Sequence, residues 1–130
     1  MITKAGVLSN QIIMGVTSYG RSYQMAAAGC YTEECLFTGP DSGAYAGLCT
    51  QTAGYIANAE IDGIINLNGS VLLADGETLA VTTTPITYLD DSYSNIVVYD
   101  NTQWIGYMDD DNKATRQLIY QLYNLGGTTD

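Results

Sequence analysis

Several residue types are scarce or missing in this chain of 130 residues, and each absence excludes a kind of site. No histidine is present, which excludes a Ser-His-Asp triad, a Cys-His pair and a histidine-ligated zinc site within the chain. Lys and Arg number only 4 against 14 Asp and Glu, so the formal net charge is −10. Such an acidic chain is a poor partner for a nucleic-acid backbone or an anionic membrane, and we expect neither.

Charged residues and long hydrophobic runs are also scarce. Charged residues make up 14% of the chain, against about 25% in a typical soluble domain. The surface must therefore depend on Tyr, Thr, Ser and Asn, which favours a secreted protein or a carbohydrate partner. The apolar stretch 12–16 is too short to cross a bilayer. Residues 1–10 lack the basic start and apolar run of a signal peptide, so we expect any signal to lie upstream.

The three cysteines, Cys30, Cys35 and Cys49, lie within 20 residues of one another and form no C-x-x-C pair. This spacing argues against a zinc ribbon or a thioredoxin motif. One local disulfide with one odd cysteine is the interpretation for a secreted chain, and the odd one could pair with a segment outside this sequence. Three buried free thiols are the alternative. Asn68 begins an Asn-Gly-Ser glycosylation sequon, which adds modest support for secretion.

Local patterns predict a mixed α+β chain. In the first half they indicate a helix end over 1–8, a buried strand over 11–17, an extended segment over 21–27 and a cysteine-bearing loop over 29–50. A helix over 52–65, capped by Thr52, follows. The second half indicates a short hairpin around 71–76, two strands at 96–99 and 103–107, and a helix over 112–124 capped by Asp111. A helix end that leads into a strand covered on both faces, and a last helix followed by Gly126-Gly127, are typical joints of a β/α barrel or a doubly wound sheet. We therefore expect this sequence to be a fragment, or a domain that needs further polypeptide to cover its buried strand.

Three sequence blocks and the cysteine loop together resemble one family. Residues 14–23 (MGVTSYGRSY) resemble the G-x-x-x-Y-G-R-[ST]-[FY] signature of glycoside hydrolase family 18 chitinases. Residues 53–61 (AGYIANAEI) are similar to the helix of that family's insertion domain, and residues 98–110 (VYDNTQWIGYMDD) to the segment before the last barrel strand. The loop over 29–55 resembles the secreted fungal, killer-toxin-like branch of the family.

The resemblance implies a (β/α)8 TIM barrel with a small α+β chitinase insertion domain between strands seven and eight. Residues 1–19 would then be the end of a barrel helix and strand seven, 20–107 the insertion domain, and 108–130 the last barrel helix and the start of strand eight. The connection over 66–84 is longer than expected for this branch, which leaves its local fold open.

The family's catalytic motif, D-x-x-D-x-D-x-E, is absent, because no Asp of the chain is followed by another Asp three residues later. The resemblance implies a parent enzyme that hydrolyses β-1,4-N-acetylglucosamine polymers by a substrate-assisted mechanism, an exception to the two-carboxylate scheme. We therefore assign no catalytic residue and predict that this chain alone is inactive without the rest of the barrel. No cofactor or metal is expected.

The resemblance also marks Tyr19, Arg21 and Glu60 as contacts for chitin or a chito-oligosaccharide. Arg offers a planar fork of donors, and Tyr offers a ring face and a hydroxyl. The alternatives are that Arg21 only pairs with Glu60 or a backbone carbonyl, and that Glu60 is an ordinary solvated helix residue. Trp104 is interpreted as a packing residue. The run 109–111 is interpreted as a helix cap, because it lacks the Gly and Glu of an EF-hand calcium loop.

Two further functions stay open at this point. The chain could be a non-catalytic chitin-binding or interaction protein, in which Tyr19, Arg21 and Glu60 form part of a weak sugar-binding groove. It could also have no independent function. An upstream segment with the acid motif would favour the enzyme, and a well-folded chain that binds sugar alone would favour the binding protein.

Overall fold

The computed structural model describes residues 2–66, 70–80 and 84–130. Its helices and strands are β1 (Ile13–Gly15), β2 (Tyr19–Gln24), β3 (Tyr55–Ala57), α1 (Asn58–Asn66), β4 (Ser70–Leu72), β5 (Thr78–Ala80), β6 (Ile86–Leu89), β7 (Asn95–Tyr99), β8 (Gln103–Tyr107), α2 (Asp110–Leu122) and β9 (Gly127–Thr129). The expected α+β character is confirmed. The glycosylation candidate Asn68 lies outside the described residues.

Five strands form an antiparallel sheet in the order β3-β2-β8-β7-β6. The hairpin β7–β8 turns through Asp100 and Asn101, both in the left-handed region that these two residue types tolerate. β2 then pairs with β8, which brings Tyr23 opposite Trp104. Strands far apart in sequence therefore become neighbours at the centre of the sheet.

Alternation along the strands gives the sheet two different faces. The inner face carries Ile56, Val97 and Ile105, which pack against Ile61 and Ile64 of α1 to form the core. Ile61 and Ile105 are fully buried. The outer face carries the residues that alternate with these, and it is rich in aromatic side chains.

A separate parallel pair joins the two ends of the chain. β1 pairs with β9, with Ile13 opposite Gly127, and α2 lies between the sheet and β9 in the sequence. The cap of α2 is Asp109, whose Oδ1 accepts a hydrogen bond from the backbone N–H of Asn112 at 2.7 Å. The 109–111 run therefore begins a helix, as expected, although Asp109 caps it rather than Asp111.

The predicted helix over 52–65 is wrong in its first half. Tyr55–Ala57 form an edge strand, and the helix begins only at Asn58. Gly54 has a φ of +100°, which a helix cannot contain, and β3 gains backbone hydrogen bonds from β2. The apolar residues of 52–65 fit both periods over so short a stretch, so pairing with β2 decided the outcome.

Other differences are smaller. The first residues form a short 3-10 turn, Thr3–Ala5, instead of the end of an α-helix, with Gly6 at its C-cap at φ +90°. The expected hairpin around 71–76 is confirmed as β4–β5. The edge strand β6 carries no clear alternating pattern and was not predicted.

Candidate functional site

β2 places Tyr19 and Arg21 on the outer face of the sheet, because its alternate residues Gly20 and Ser22 point into the core. The guanidinium carbon of Arg21 lies 5.6 Å from the centre of the Tyr19 ring, within cation–π range. In the described part of the chain, no carboxylate lies within 4.0 Å of Arg21. The guanidinium therefore has donors that face solvent.

Tyr55 joins this pair from the neighbouring strand. β3 places Tyr55 directly opposite Arg21, and the Tyr19 and Tyr55 rings meet edge to face with their centres 6.0 Å apart. Both tyrosines are about 40% exposed. We call Tyr19, Arg21 and Tyr55 the outer-face cluster. Sequence reasoning missed Tyr55, because it placed that residue in a helix; only the register of β3 brings it here.

Glu60 lies elsewhere, in the first turn of α1 on the inner side of the sheet. Its Oε1 accepts hydrogen bonds from the backbone N–H groups of Cys49 at 2.6 Å and Thr50 at 3.3 Å, and its Oε2 accepts one from Ala57 at 3.2 Å. Gly47 makes this approach possible, since a Cβ there would lie 2.5 Å from Oε1. Glu60 therefore fastens the cysteine loop to the start of the helix, in the manner of a capping box.

The electrostatics of Glu60 follow from these contacts. Partial burial would raise the pKa of the carboxyl group, but the hydrogen bonds from Cys49, Ala57 and Thr50 outweigh it and hold the pKa below its usual range. The carboxylate does not pair with Arg21, and it is not an ordinary solvated helix residue. Both of its oxygens are already engaged by protein donors, while its expected contact with sugar stays a prediction.

The cysteines adopt one of the arrangements left open. Cys30 and Cys35 form a disulfide with their Cα atoms 5.7 Å apart, and Cys49 is an exposed free thiol. The disulfide closes a short loop next to the bridge between Met25 and Phe37. It therefore staples the loop that covers part of the outer face.

Trp104 packs as expected of a structural residue. Its ring lies 6.0 Å from that of Tyr23, and a Cβ on Gly106 would come within 2.7 Å of it. The neighbouring Gln103 is buried, and its Oε1 accepts a hydrogen bond from the backbone N–H of Tyr45 at 2.8 Å. Gln103 thus holds the loop at Tyr45 on the inner face of the sheet, and Trp104 packs on Tyr23 on the outer face.

The ends of the parallel strands carry a second polar group. Ser18 follows β1 and donates a hydrogen bond to Asp130, which follows β9, at 2.5 Å. Lys113 reaches the same two side chains, at 2.8 Å from the Ser18 oxygen and 3.3 Å from the Asp130 carboxylate. The hydrogen bond from Ser18, aided by Lys113, holds the pKa of Asp130 below its usual range. Sequence reasoning did not single out this cluster, because Ser18 is 112 residues from Asp130 and 95 from Lys113.

Within the described ranges, no group of three His, Cys, Asp or Glu side chains is placed to hold a metal ion. Among the helices described, none has the length and hydrophobicity needed to cross a bilayer.

Sequence comparison links the whole chain to fungal chitinases. It is 50% identical over its full length to the probable chitinase LysM18 of Penicillium expansum and 43% identical to the secreted chitinase LysM12 of the same organism. About half of the chain is 39% identical to the killer toxin subunits alpha/beta of Kluyveromyces lactis. The chain spans only 8% of the length of either chitinase. No family model matches it.

Structural comparison agrees. Human YKL-39, described as a pseudo-chitinase with retained chitooligosaccharide binding, matches 97% of this chain at 26% identity with a TM-score of 0.69, and the match covers 29% of that protein. A Cycas revoluta family 18 chitinase matches the fold with a TM-score of 0.62 at 17% identity, over 30% of its chain. The group II chitinase of Ostrinia furnacalis matches with a TM-score of 0.74 at 18% identity, over 28% of its chain. The whole chain is therefore similar in sequence to a part of these fungal chitinases, and its fold matches a part of the family 18 chitinase fold.

Proposed function

We propose that this chain is the part of a secreted chitinase that forms one wall of the substrate cleft, and that its outer-face cluster contacts a chito-oligosaccharide. The observation that carries the proposal is the placement of Tyr19 and Arg21. They stand side by side and exposed, on the strand that follows the carboxyl end of β1. Sites in β/α barrels are built at that end of the strands.

The parallel pair supports the barrel part of this proposal. β1 and β9 run in the same direction with α2 before β9, as strands seven and eight of the barrel would. Residues 1–19 and 108–130 then belong to the barrel, and 20–107 to the insertion domain. The helix α2 exposes Leu118 at 63% and Leu122 at 85%. Apolar side chains this exposed on one helix are what the remaining barrel would cover.

The intact parent, on this proposal, hydrolyses β-1,4-N-acetylglucosamine polymers, with the catalytic acid supplied by another part of the barrel. This chain contains no D-x-x-D-x-D-x-E motif, so by itself it provides binding without hydrolysis. Arg21 can donate to sugar hydroxyls and acetamido carbonyls, and the Tyr19 and Tyr55 rings offer faces to the apolar side of a sugar ring. The names of relatives such as secreted chitinase LysM12 support both the substrate class and secretion.

A non-catalytic chitin-binding protein is the second candidate. It is favoured by the likeness to YKL-39, which is described as a pseudo-chitinase that retains chitooligosaccharide binding. An acid motif encoded upstream of these residues would favour the enzyme, and its absence from the complete gene product would favour the binding protein.

Titration of the purified chain with chitohexaose, by calorimetry or NMR, tests the sugar-binding wall, which the enzyme and the binding protein have in common. We expect saturable binding that Arg21→Ala weakens by roughly tenfold, which corresponds to loss of one charge-assisted hydrogen bond. Lys4→Ala is the matched control, since Lys4 is an exposed cation in the first turn, outside the cluster. Binding of cellohexaose, which lacks acetamido groups, should be weaker.

Two results would contradict the proposal. A folded chain that does not bind chitohexaose at all would mean that these residues form no working wall on their own. Release of shorter sugars from chitohexaose by this chain would mean that it carries catalytic groups outside the D-x-x-D-x-D-x-E motif.

A further inference from the structure

A second concave site lies on the same outer face, beyond the outer-face cluster. It is a cavity of about 850 Å³ between the sheet and the disulfide loop, within the size range of small-molecule sites. Its floor is formed by Tyr23, Ile96 and Trp104. Phe37 of the disulfide loop packs on Tyr23 with ring centres 5.1 Å apart. We call this the aromatic cavity.

The side wall of the aromatic cavity is also aromatic and is held in place. The Tyr31 and Tyr88 rings lie 6.0 Å apart, and the Tyr88 hydroxyl donates a hydrogen bond to the backbone carbonyl of Tyr31 at 2.9 Å. This bond joins the disulfide loop to the edge strand β6. The cavity is therefore built by two loops and the sheet rather than by one flexible segment.

The charged side chains that line the aromatic cavity are all acidic. Glu33, Asp90 and Asp91 line the cavity, and no Lys or Arg is among its lining residues. The Oδ1 atom of Asp90 accepts hydrogen bonds from the backbone N–H groups of Ser92 and Ser94 in its own turn. Arg116, which does not line the cavity, donates to the Ser92 carbonyl and the Ser94 hydroxyl of that turn. Neither Glu33 nor Asp91 has a hydrogen-bond partner in the described part of the chain.

We propose that the aromatic cavity binds a sugar ring that carries a protonated amine, that is, a glucosaminyl unit of partly de-N-acetylated chitin. Aromatic faces attract cations as well as the apolar side of a sugar ring, and unpaired carboxylates favour a positive charge over a neutral acetamido group. The choice of a sugar as occupant rests on the proposed function, because the cavity continues the face on which that function places the chitin chain.

A matched pair of dimers tests the proposal. The glucosamine dimer and its N-acetylated counterpart differ only in the amine, and both are titrated into the full chain in mildly acidic buffer, where the amine is charged. The fluorescence of Trp104 is a local probe, because it is the single tryptophan. We expect the free-amine dimer to change this fluorescence saturably and to bind roughly tenfold more tightly than the N-acetylated dimer.

Paired variants locate the binding site. The double variant Glu33→Gln with Asp91→Asn should weaken binding of the free-amine dimer by roughly tenfold. The control double variant Glu34→Gln with Asp41→Asn removes the same charge from exposed residues that do not line the cavity, and should leave binding unchanged. All four substitutions are at exposed positions and preserve shape, so folding is not at risk.

Four outcomes would overturn the proposal: no binding, equal binding of both dimers, equal loss in the control variant, or loss of free-amine binding in Arg21→Ala. Equal loss in the control variant would mean that the dimer is attracted by the net charge of the chain. Loss in Arg21→Ala would mean that it binds at the outer-face cluster. The proposed function is tested apart from this, by chitohexaose. If chitohexaose fails to bind while the free-amine dimer binds as expected, the chitin-wall proposal fails and the cavity stands.

Discussion

Replacing Glu60 by Gln tests whether this residue holds the cysteine loop on helix α1. Gln keeps the shape but loses the charge, and it can accept through only one of the two atoms that now receive three backbone N–H groups. Because the site is partly open to water, we expect the free energy of unfolding to fall by about 1–2 kcal/mol. With a typical urea dependence of about 2 kcal/mol per molar, the midpoint should fall by roughly 0.5–1 M.

The stabilisation by Glu60 should depend on pH in a definite direction. The pKa of Glu60 is lower in the folded chain than in the unfolded chain, so the carboxylate stabilises the fold above the unfolded value of about 4.3. That contribution is lost as the pH falls through the lower, folded pKa. The difference in stability between the native chain and Glu60→Gln should therefore be constant near neutral pH and shrink in acid.

Urea unfolding followed by circular dichroism and Trp104 fluorescence, at neutral pH and at several acidic values, measures both effects. Glu34→Gln is the control, since Glu34 is exposed in the disulfide loop and should change neither. If Glu60→Gln unfolds at the same urea concentration as the native chain, or if its loss of stability is the same at every pH, then Glu60 is not the fastener that we describe.

Three further predictions follow from the packing and the cysteines. Gly20→Ala should lower the free energy of unfolding by about 1–3 kcal/mol, because its Cβ would lie 2.7 Å from Ile105; an unchanged urea midpoint would show that the core can yield there. A thiol reagent should label Cys49 alone in the native chain, and the disulfide cysteines only after reduction; labelling of more than one thiol per chain before reduction would contradict this, as measured by intact mass. Leu122→Ser should leave the free energy of unfolding within about 0.5 kcal/mol of the native value, since Leu122 is 85% exposed; a larger loss in urea unfolding would mean that α2 packs elsewhere in solution.

The family resemblance could be found from sequence because it depends on residues whose order is local. The Y-G-R block and the Gln-Trp hairpin keep their spacing in the chain. Local patterns separately predicted an extended segment over 21–27, which overlaps β2, and the hairpin β7–β8. The amino-acid composition also excluded some chemistry, because a chain without histidine cannot form a site that needs a histidine side chain.

Other features depend on contacts between distant residues, which no local pattern records. Tyr55 joins the outer-face cluster only because β3 pairs with β2 in one register. Glu60 looked like a residue free to reach a sugar, but the loop over 47–50 folds back and donates to its Oε1, while the backbone N–H of Ala57 donates to its Oε2.

The sequence by itself determined the composition, the charge and the hairpins β4–β5 and β7–β8, because these depend on neighbours along the chain. Only the tertiary structure decided which strands meet, which cysteine stays free and where the aromatic cavity opens. The physical reason is that strand pairing and loop closure join residues tens of positions apart. The free energy of those contacts comes from burial and hydrogen bonds that exist only once the whole sheet has formed.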